Sequence, residues 1–123
     1  MSTERAAGQV EGLPGAVRRG NIVTTSGVVS PSALSRAGVP AAQQVDEAVS
    51  ALIGVLKEVG ASPRDVIRVE AFIGSADVMS AWNERFSQEW GQLPPARTTL
   101  IVGFARPELL FEVQAMAVTD DDA

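Results

Sequence analysis

Arg97 and Glu112 are the residues whose type and setting point most directly to chemistry. Arg97 stands in Pro94-Pro95-Ala96-Arg97-Thr98-Thr99, and Glu112 follows fifteen residues later in Phe111-Glu112-Val113-Gln114-Ala115-Met116-Ala117-Val118. Both segments read as strands, and each sets one charge in an apolar or small-polar run. A guanidinium offers a planar fork that matches a carboxylate in bidentate fashion. A partly buried carboxylate can hold and orient a water. On neighbouring strands the two would make a site for a small acid. The plainer alternative is a structural salt bridge between them, since ion-pair networks are common. Glu112 anchoring Arg97 and Glu112 orienting water are compatible roles.

Four further residues belong with this pair. Thr99 lies two residues after Arg97 and so points to the same side of its strand. Ser26 and Gly27 end an early strand, where a hydroxyl and an amide can donate to a substrate oxygen or a water; Ser-Gly is also ordinary turn chemistry. Asn83 sits on a predicted helix, either reaching the site or simply solvated. Trp82, Phe86 and Trp90 are spaced four apart. They suggest a stacking platform, but that spacing is the one expected of a helix face turned to the core.

These residues must be positioned by a small fold. A length of 123 residues fits one domain. The chain is 46% hydrophobic and 20% charged, enough to bury a core. The formal net charge is −5, which opposes the positive field that non-specific nucleic-acid binding needs. There is no cysteine, hence no disulfide, thiolate nucleophile or cysteine-based metal site. There is no histidine, which removes the commonest metal ligand and general base. No apolar run approaches the roughly 18–20 residues of a membrane span, and the polar N-terminus does not read as a secretory signal. A cytoplasmic protein binding neither membrane nor nucleic acid is the expectation.

Residues 1–12 are polar and glycine-containing and are expected to be loosely held. Residues 13–119 form the single domain, and 120–123 an acidic tail expected to fray. Residues 17–20 and 21–27 read as strands, and 31–40, with two prolines, as a loop. Val45, Val49, Leu52, Ile53, Leu56 and Val59 mark one helix face, stopped at Gly60. Residues 66–73 alternate, with Ile67, Val69, Ala71 and Ile73 as the wholly apolar side. A second helix runs from 76 or 77 to 90, capped by Ser75 or Asp77, with Val78, Met79, Trp82, Phe86 and Trp90 inward. Strands follow at 98–104 and 110–118. This order predicts an α/β fold: one mixed β-sheet with two helices on one face. The other face is then left for solvent or another subunit, and an oligomer with sheets meeting is expected.

Several segments together resemble the RidA (YjgF) family. Gly20-Asn21-Ile22-Val23-Thr24-Thr25-Ser26-Gly27 is similar to the family's early strand ending in Ser-Gly. Gln44, the helix 45–59 and Val59-Gly60-Ala61-Ser62-Pro63-Arg64-Asp65-Val66 resemble its first helix and the turn beyond. Asn83 matches the asparagine of its second helix, and Pro95-Ala96-Arg97 with the run from Glu112 complete the likeness. The match runs over residues 20–118 in the family's order.

The resemblance implies a chorismate-mutase-like fold and a homotrimer with clefts between subunits. It implies hydrolysis of reactive 2-imino acids and their enamine tautomers to 2-keto acids and ammonia, with no metal or organic cofactor. Arg97 would hold the substrate carboxylate, Glu112 would orient water, and Ser26, Gly27, Asn83 and Thr99 would line the site. Thr99 stands where the deaminase type often has cysteine, a change that water-driven hydrolysis tolerates. Leu13 is a larger departure. It lies thirteen residues before Ser26, where the deaminase type carries a tyrosine, and leucine can neither donate nor accept a hydrogen bond. A non-catalytic trimer binding a small carboxylate metabolite is the alternative that this loss favours. Ribonuclease, a label some family members carry, fits neither the charge nor the missing histidine.

Overall fold

The last strand is the one on which the sheet is built. Phe111, Val113, Ala115 and Ala117 are buried, while Glu112, Gln114, Met116 and Val118 between them are half-buried or exposed. A strand so placed needs partners along both edges for its backbone groups, and it pairs antiparallel with three others.

The computed structural model describes residues 2–120. Its elements are β1 (Thr3–Ala7), β2 (Pro14–Arg19), β3 (Ile22–Thr25), β4 (Val28–Val29), α1 (Pro31–Ser35), α2 (Ala41–Glu58), β5 (Val66–Ile73), α3 (Met79–Trp90), β6 (Ala96–Ile101) and β7 (Phe111–Val118). Short 3-10 turns at Pro63–Asp65 and Ala76–Val78 lead into β5 and α3. The sheet order is β1-β2-β3-β7-β5-β6, with β4 also on β7. β5 and β6 run parallel, joined by the α3 crossover; the other pairs are antiparallel. This is the expected α/β architecture, one mixed sheet with α2 and α3 on a single face. Among the described residues no helix is long and apolar enough to cross a membrane.

α2 forms from its apolar stripe. Val45, Ala48, Val49, Leu52 and Leu56 are buried, each worth about 1.5–3 kcal/mol for a larger aliphatic side chain. That outweighs the missing side-chain N-cap, a deficit of about 1 kcal/mol. The helix starts at Ala41, four residues before the expected 45, because Pro40 holds extended backbone at its N-cap. It ends where Gly60 takes φ +81, letting the Ala61 amide reach back to the Leu56 carbonyl at 2.9 Å. Gln44 is wholly buried on this helix. Its amide nitrogen donates to the carbonyls of Val39 and Glu108, and its oxygen accepts from the Leu110 amide. One side chain thereby ties down the chain entering β7.

The structure corrects the sequence reading at several places. Residues 3–7, expected to be loose, form edge strand β1 against β2. Residues 31–40 are not all loop: Pro31 occupies the first turn of α1, where a missing N–H costs nothing, and the Ser30 hydroxyl accepts from the Ala33 amide. Ile67 is exposed at 51%, and Val66 takes its place in the core. The register between β5 and β7 shifts between Val66 and Arg68, and a bulge of this kind turns one residue to the other face. Of the acidic tail at 120–123, residues 121–123 lie outside the described residues.

α1 is fastened to α2 by Glu47, whose carboxylate accepts from the Ser30 and Ser32 hydroxyls, the Ser32 amide and the Gln43 amide. The Gln43 bond, then those from Ser30 and Ser32, pulls its pKa from 4.5 down to about 2. A lowered folded-state pKa supports the fold above the ordinary carboxylate range, and this support is lost as pH falls toward the folded value. Glu47→Gln should therefore lower the urea midpoint at pH 7, with the gap from wild type closing between pH 4.5 and about 2. An equal gap at both ends would contradict this.

Candidate functional site

The expected site residues fall into two groups on opposite faces of the sheet. The register decides this. Arg97 pairs with Val69 and Thr99 with Ala71, and both of those β5 residues are buried under the helices. Arg97 and Thr99 therefore stand on the helix side. Glu112 pairs with Phe72, on the side away from the helices. β5 lies between β6 and β7, so the two charges are not on adjacent strands. Arg97 lies across β5 from Ala115, three residues along β7 from Glu112, so two strand spacings of ~4.8 Å and three residue rises of ~3.3 Å put the two backbones roughly 14 Å apart. The anticipated salt bridge between them is absent from the ion pairs of the described residues.

The first group gathers where α3 packs beside edge strand β6. Arg97 is exposed, and its Nη2 donates to Asn83 Oδ1 at 2.7 Å. Its Cζ lies 4.8 Å from the Phe86 ring centroid and 5.4 Å from that of Trp82, within the range of cation–π attraction. Asn83 is thus engaged by the arginine rather than merely solvated. Beneath the guanidinium, Trp82 is wholly buried and packs against Phe86, Trp90 and Phe111 with centroids 5.2–6.5 Å apart. Its indole N–H donates to Thr99 Oγ1 at 3.0 Å. Sequence reasoning placed Trp82 and Phe86 in the core and missed this second contribution. The signal was there in an aromatic pair four apart flanking Asn83.

The second group forms where the pairing along β7 is interrupted. β3 pairs with β7 through Thr24, and β4 resumes at Val28. Across the gap the Thr25 hydroxyl accepts from the Ala115 amide at 2.9 Å, replacing a backbone acceptor. Ser26 and Gly27 bow out of the ladder there, and the Glu112 carboxylate packs against Gly27. A Cβ at Gly27 would collide with Glu112 Oε2, so glycine is what lets the carboxylate sit here; any other residue would make it shift. Burial raises the pKa of Glu112. The Ser26 hydroxyl donates to the Pro14 carbonyl at 2.7 Å and its amide to Gly15 at 2.9 Å. Both Ser26 donors are thereby engaged within the chain, and an acceptor lone pair is what remains for a ligand. Leu13 is exposed and lines, with Val10, Ser26, Gly27 and Val55, a cavity of about 50 Å³. Counting back from Ser26 thus lands beside it.

No three His, Cys, Asp or Glu among the described residues are grouped to hold a metal ion. A groove of about 570 Å³ between Arg64 and the end of α3 contains none of the candidate residues. Chemically, the first group is a cationic fork with a hydroxyl beside it, and the second a carboxylate of raised pKa beside a small apolar recess.

Comparison with known proteins agrees with this fold. Residues 4–119 match the family model described as Endoribonuclease L-PSP. A RutC family protein of Pyrococcus abyssi is 25% identical over 117 residues, covering 94% of this chain and 92% of that protein. A YjgF/YER057c/UK114 family structure from Mycobacterium tuberculosis superposes with TM-score 0.85 at 24% identity, covering 96% of this chain and all of that one. A putative endoribonuclease from Thermotoga maritima gives 0.83 at 25% identity, covering 94% and 93%. With a family model spanning nearly its whole length and the same fold in its structural neighbours, the chain belongs to the endoribonuclease L-PSP family, the YjgF/RidA proteins.

Proposed function

We propose that the chain assembles as a homotrimer and hydrolyses 2-imino acids, or their enamine tautomers, to 2-keto acids and ammonia in clefts between subunits. The observation that carries this is the opposed placement of Arg97 and Glu112. One chain does not turn both toward one small ligand, whereas the Arg97 group of one subunit can face the Glu112 group of another. The bare sheet face supports association. Ile22, Leu100 and Met116 are exposed there at 54%, 52% and 42%, with Phe72, Val17 and Val118 half-buried beside them.

In this reading the guanidinium of Arg97, steadied by Asn83, holds the substrate carboxylate. A water on Glu112 attacks the imine carbon as the carboxylate takes its proton, and the C=N π electrons move to nitrogen. The raised pKa makes Glu112 a better base, and it returns the proton to the departing amine. The carbinolamine collapses to ketone and ammonia. The balance is one imino acid and one water for one keto acid and one ammonia. A formal charge of −5 and no histidine favour a small acid over RNA. The second reading, a carboxylate-binding module without catalysis, rests on Leu13 and on the engaged donors of Ser26.

Three outcomes test the proposal. Static light scattering at micromolar concentration should give three times 12.9 kDa; a stable monomer removes the shared cleft. 2-Iminobutyrate generated by an amino-acid oxidase and trapped with semicarbazide should yield less semicarbazone when the protein is present. Glu112→Ala should abolish that effect with assembly intact, and Leu13→Tyr should raise activity. No effect on trapping, for small and bulky substrates alike, would leave the binding module. Arg97→Lys should weaken 2-oxobutyrate binding by about 1.5–3 kcal/mol, the value of a charge-assisted hydrogen bond; equal affinity would remove Arg97 as the anchor.

A further inference from the structure

One side chain joins the loop between β1 and β2 to the strand beside Glu112. β4 has a strand along one edge only, where Val29 stands opposite Glu112 of β7. On its open edge the Val29 amide donates to Gln9 Oε1 at 3.0 Å, and Gln9 Nε2 donates to the Val29 carbonyl at 2.7 Å. A carboxamide carries a donor and an acceptor side by side, as a peptide unit does, so Gln9 takes the place of a missing strand. Val29 is buried, and its backbone groups need such partners. Among the described residues these are the only hydrogen bonds that tie residues 8–13 to anything beyond β1 and β2.

The loop so held carries two exposed aliphatic side chains, Val10 and Leu13. The Leu13 amide closes a turn on the Val10 carbonyl at 3.1 Å, which couples the two positions. Both edge the recess of about 50 Å³ bordered by Gly27, the residue against which the Glu112 carboxylate packs. Val28 and Val55 add aliphatic surface, and the polar side chains of the lining, Gln9 and Ser26, are turned to the backbone of Val29 and Pro14. A recess smaller than two waters of ~30 Å³ each suits a short alkyl group.

We propose that Gln9 is a positioning residue: by standing in for a strand on Val29 it pins the turn at residues 10–13 beside Glu112, and Leu13 so held forms a fixed apolar wall for the alkyl side chain of the substrate. The wall selects by chain length, each methylene that reaches it gaining about fourfold in affinity. Without the Gln9 bonds the turn hangs from the hairpin alone, and a loop with so few fastenings opens readily. Leu13 then offers less of that contact. The inference rests on Glu112 being the reacting carboxylate of the proposed cleft.

The test is the affinity of the assembled protein for 2-oxopropanoate, 2-oxobutyrate and 2-oxopentanoate by titration calorimetry, joined to hydrogen exchange at the Val29 amide. Wild type should bind each acid about fourfold more tightly than the one before. Gln9→Ala should flatten that series, with the longest acid losing most, and its Val29 amide should exchange faster. Gln9→Glu keeps the length but, ionised, has no hydrogen for the Val29 carbonyl; it should flatten the series in the same direction. In a Leu13→Ala background, where the series is already flat, Gln9→Ala should change the chain-length preference no further, because it acts through that side chain. A flat wild-type series, a series as steep in Gln9→Ala as in wild type, equal weakening of all three acids, flattening beyond that of Leu13→Ala, or a Val29 amide that exchanges no faster overturns the inference and leaves the proposed function standing. A wild-type protein that binds none of the three acids overturns the carboxylate reading and the inference with it.

Discussion

Side chains alternate along a strand, and β5 separates β6 from β7; these two facts govern the disposition of everything chemical in this chain. Val69 and Ala71 face the helices, so Arg97 and Thr99 opposite them do too. Phe72 faces away, and Glu112 goes with it. A shift of one residue in either register would exchange core and surface along a whole strand. The buried row of Phe111, Val113, Ala115 and Ala117 forbids such a slip. The separation of cation and carboxylate is therefore as firmly held as the core itself.

Each half of the site draws its rigidity from a different source. On the helix side it comes from aromatic packing, with Trp82 touching Phe86, Trp90 and Phe111 while reaching Thr99 and Arg97. Phe111 immediately precedes Glu112, so one buried ring abuts both strands that carry the charged residues. On the other side it comes from backbone geometry. The break at Ser26 and Gly27 admits the Glu112 carboxylate to a position from which a side chain at Gly27 would displace it. The desolvation that results is the cause of its raised pKa. Gln44 fixes the approach to β7 from beneath.

Most of the architecture was legible because it rests on periodicity. The stripe of α2, the alternation of β7 and the turn at Gly60 are local patterns, and they appear in the structure within a few residues. What was not legible depends on pairing. Ile67 belongs to an apolar alternation in sequence, yet the bulge beside it turns it outward. Residues 3–7 have little strand character of their own and become β1 through β2. Arg97 and Glu112 were singled out as residues, but strand order, which no local pattern encodes, puts β5 between them. Ser26 was foreseen as a donor, and only the structure reveals that the Pro14 carbonyl takes its hydrogen.

The central claim is that one working site needs two subunits, and complementation tests it most directly. Arg97→Ala and Glu112→Ala proteins, each inactive alone, are denatured, mixed in equal amounts and refolded together, and activity is measured in the semicarbazide competition. If each cleft takes Arg97 from one subunit and Glu112 from another, random mixing restores both residues to roughly a quarter of the clefts, and a matching share of wild-type activity returns. If both residues serve one site within a single chain, no mixed assembly contains an intact site. Activity that stays absent in well-formed mixed trimers would contradict the account.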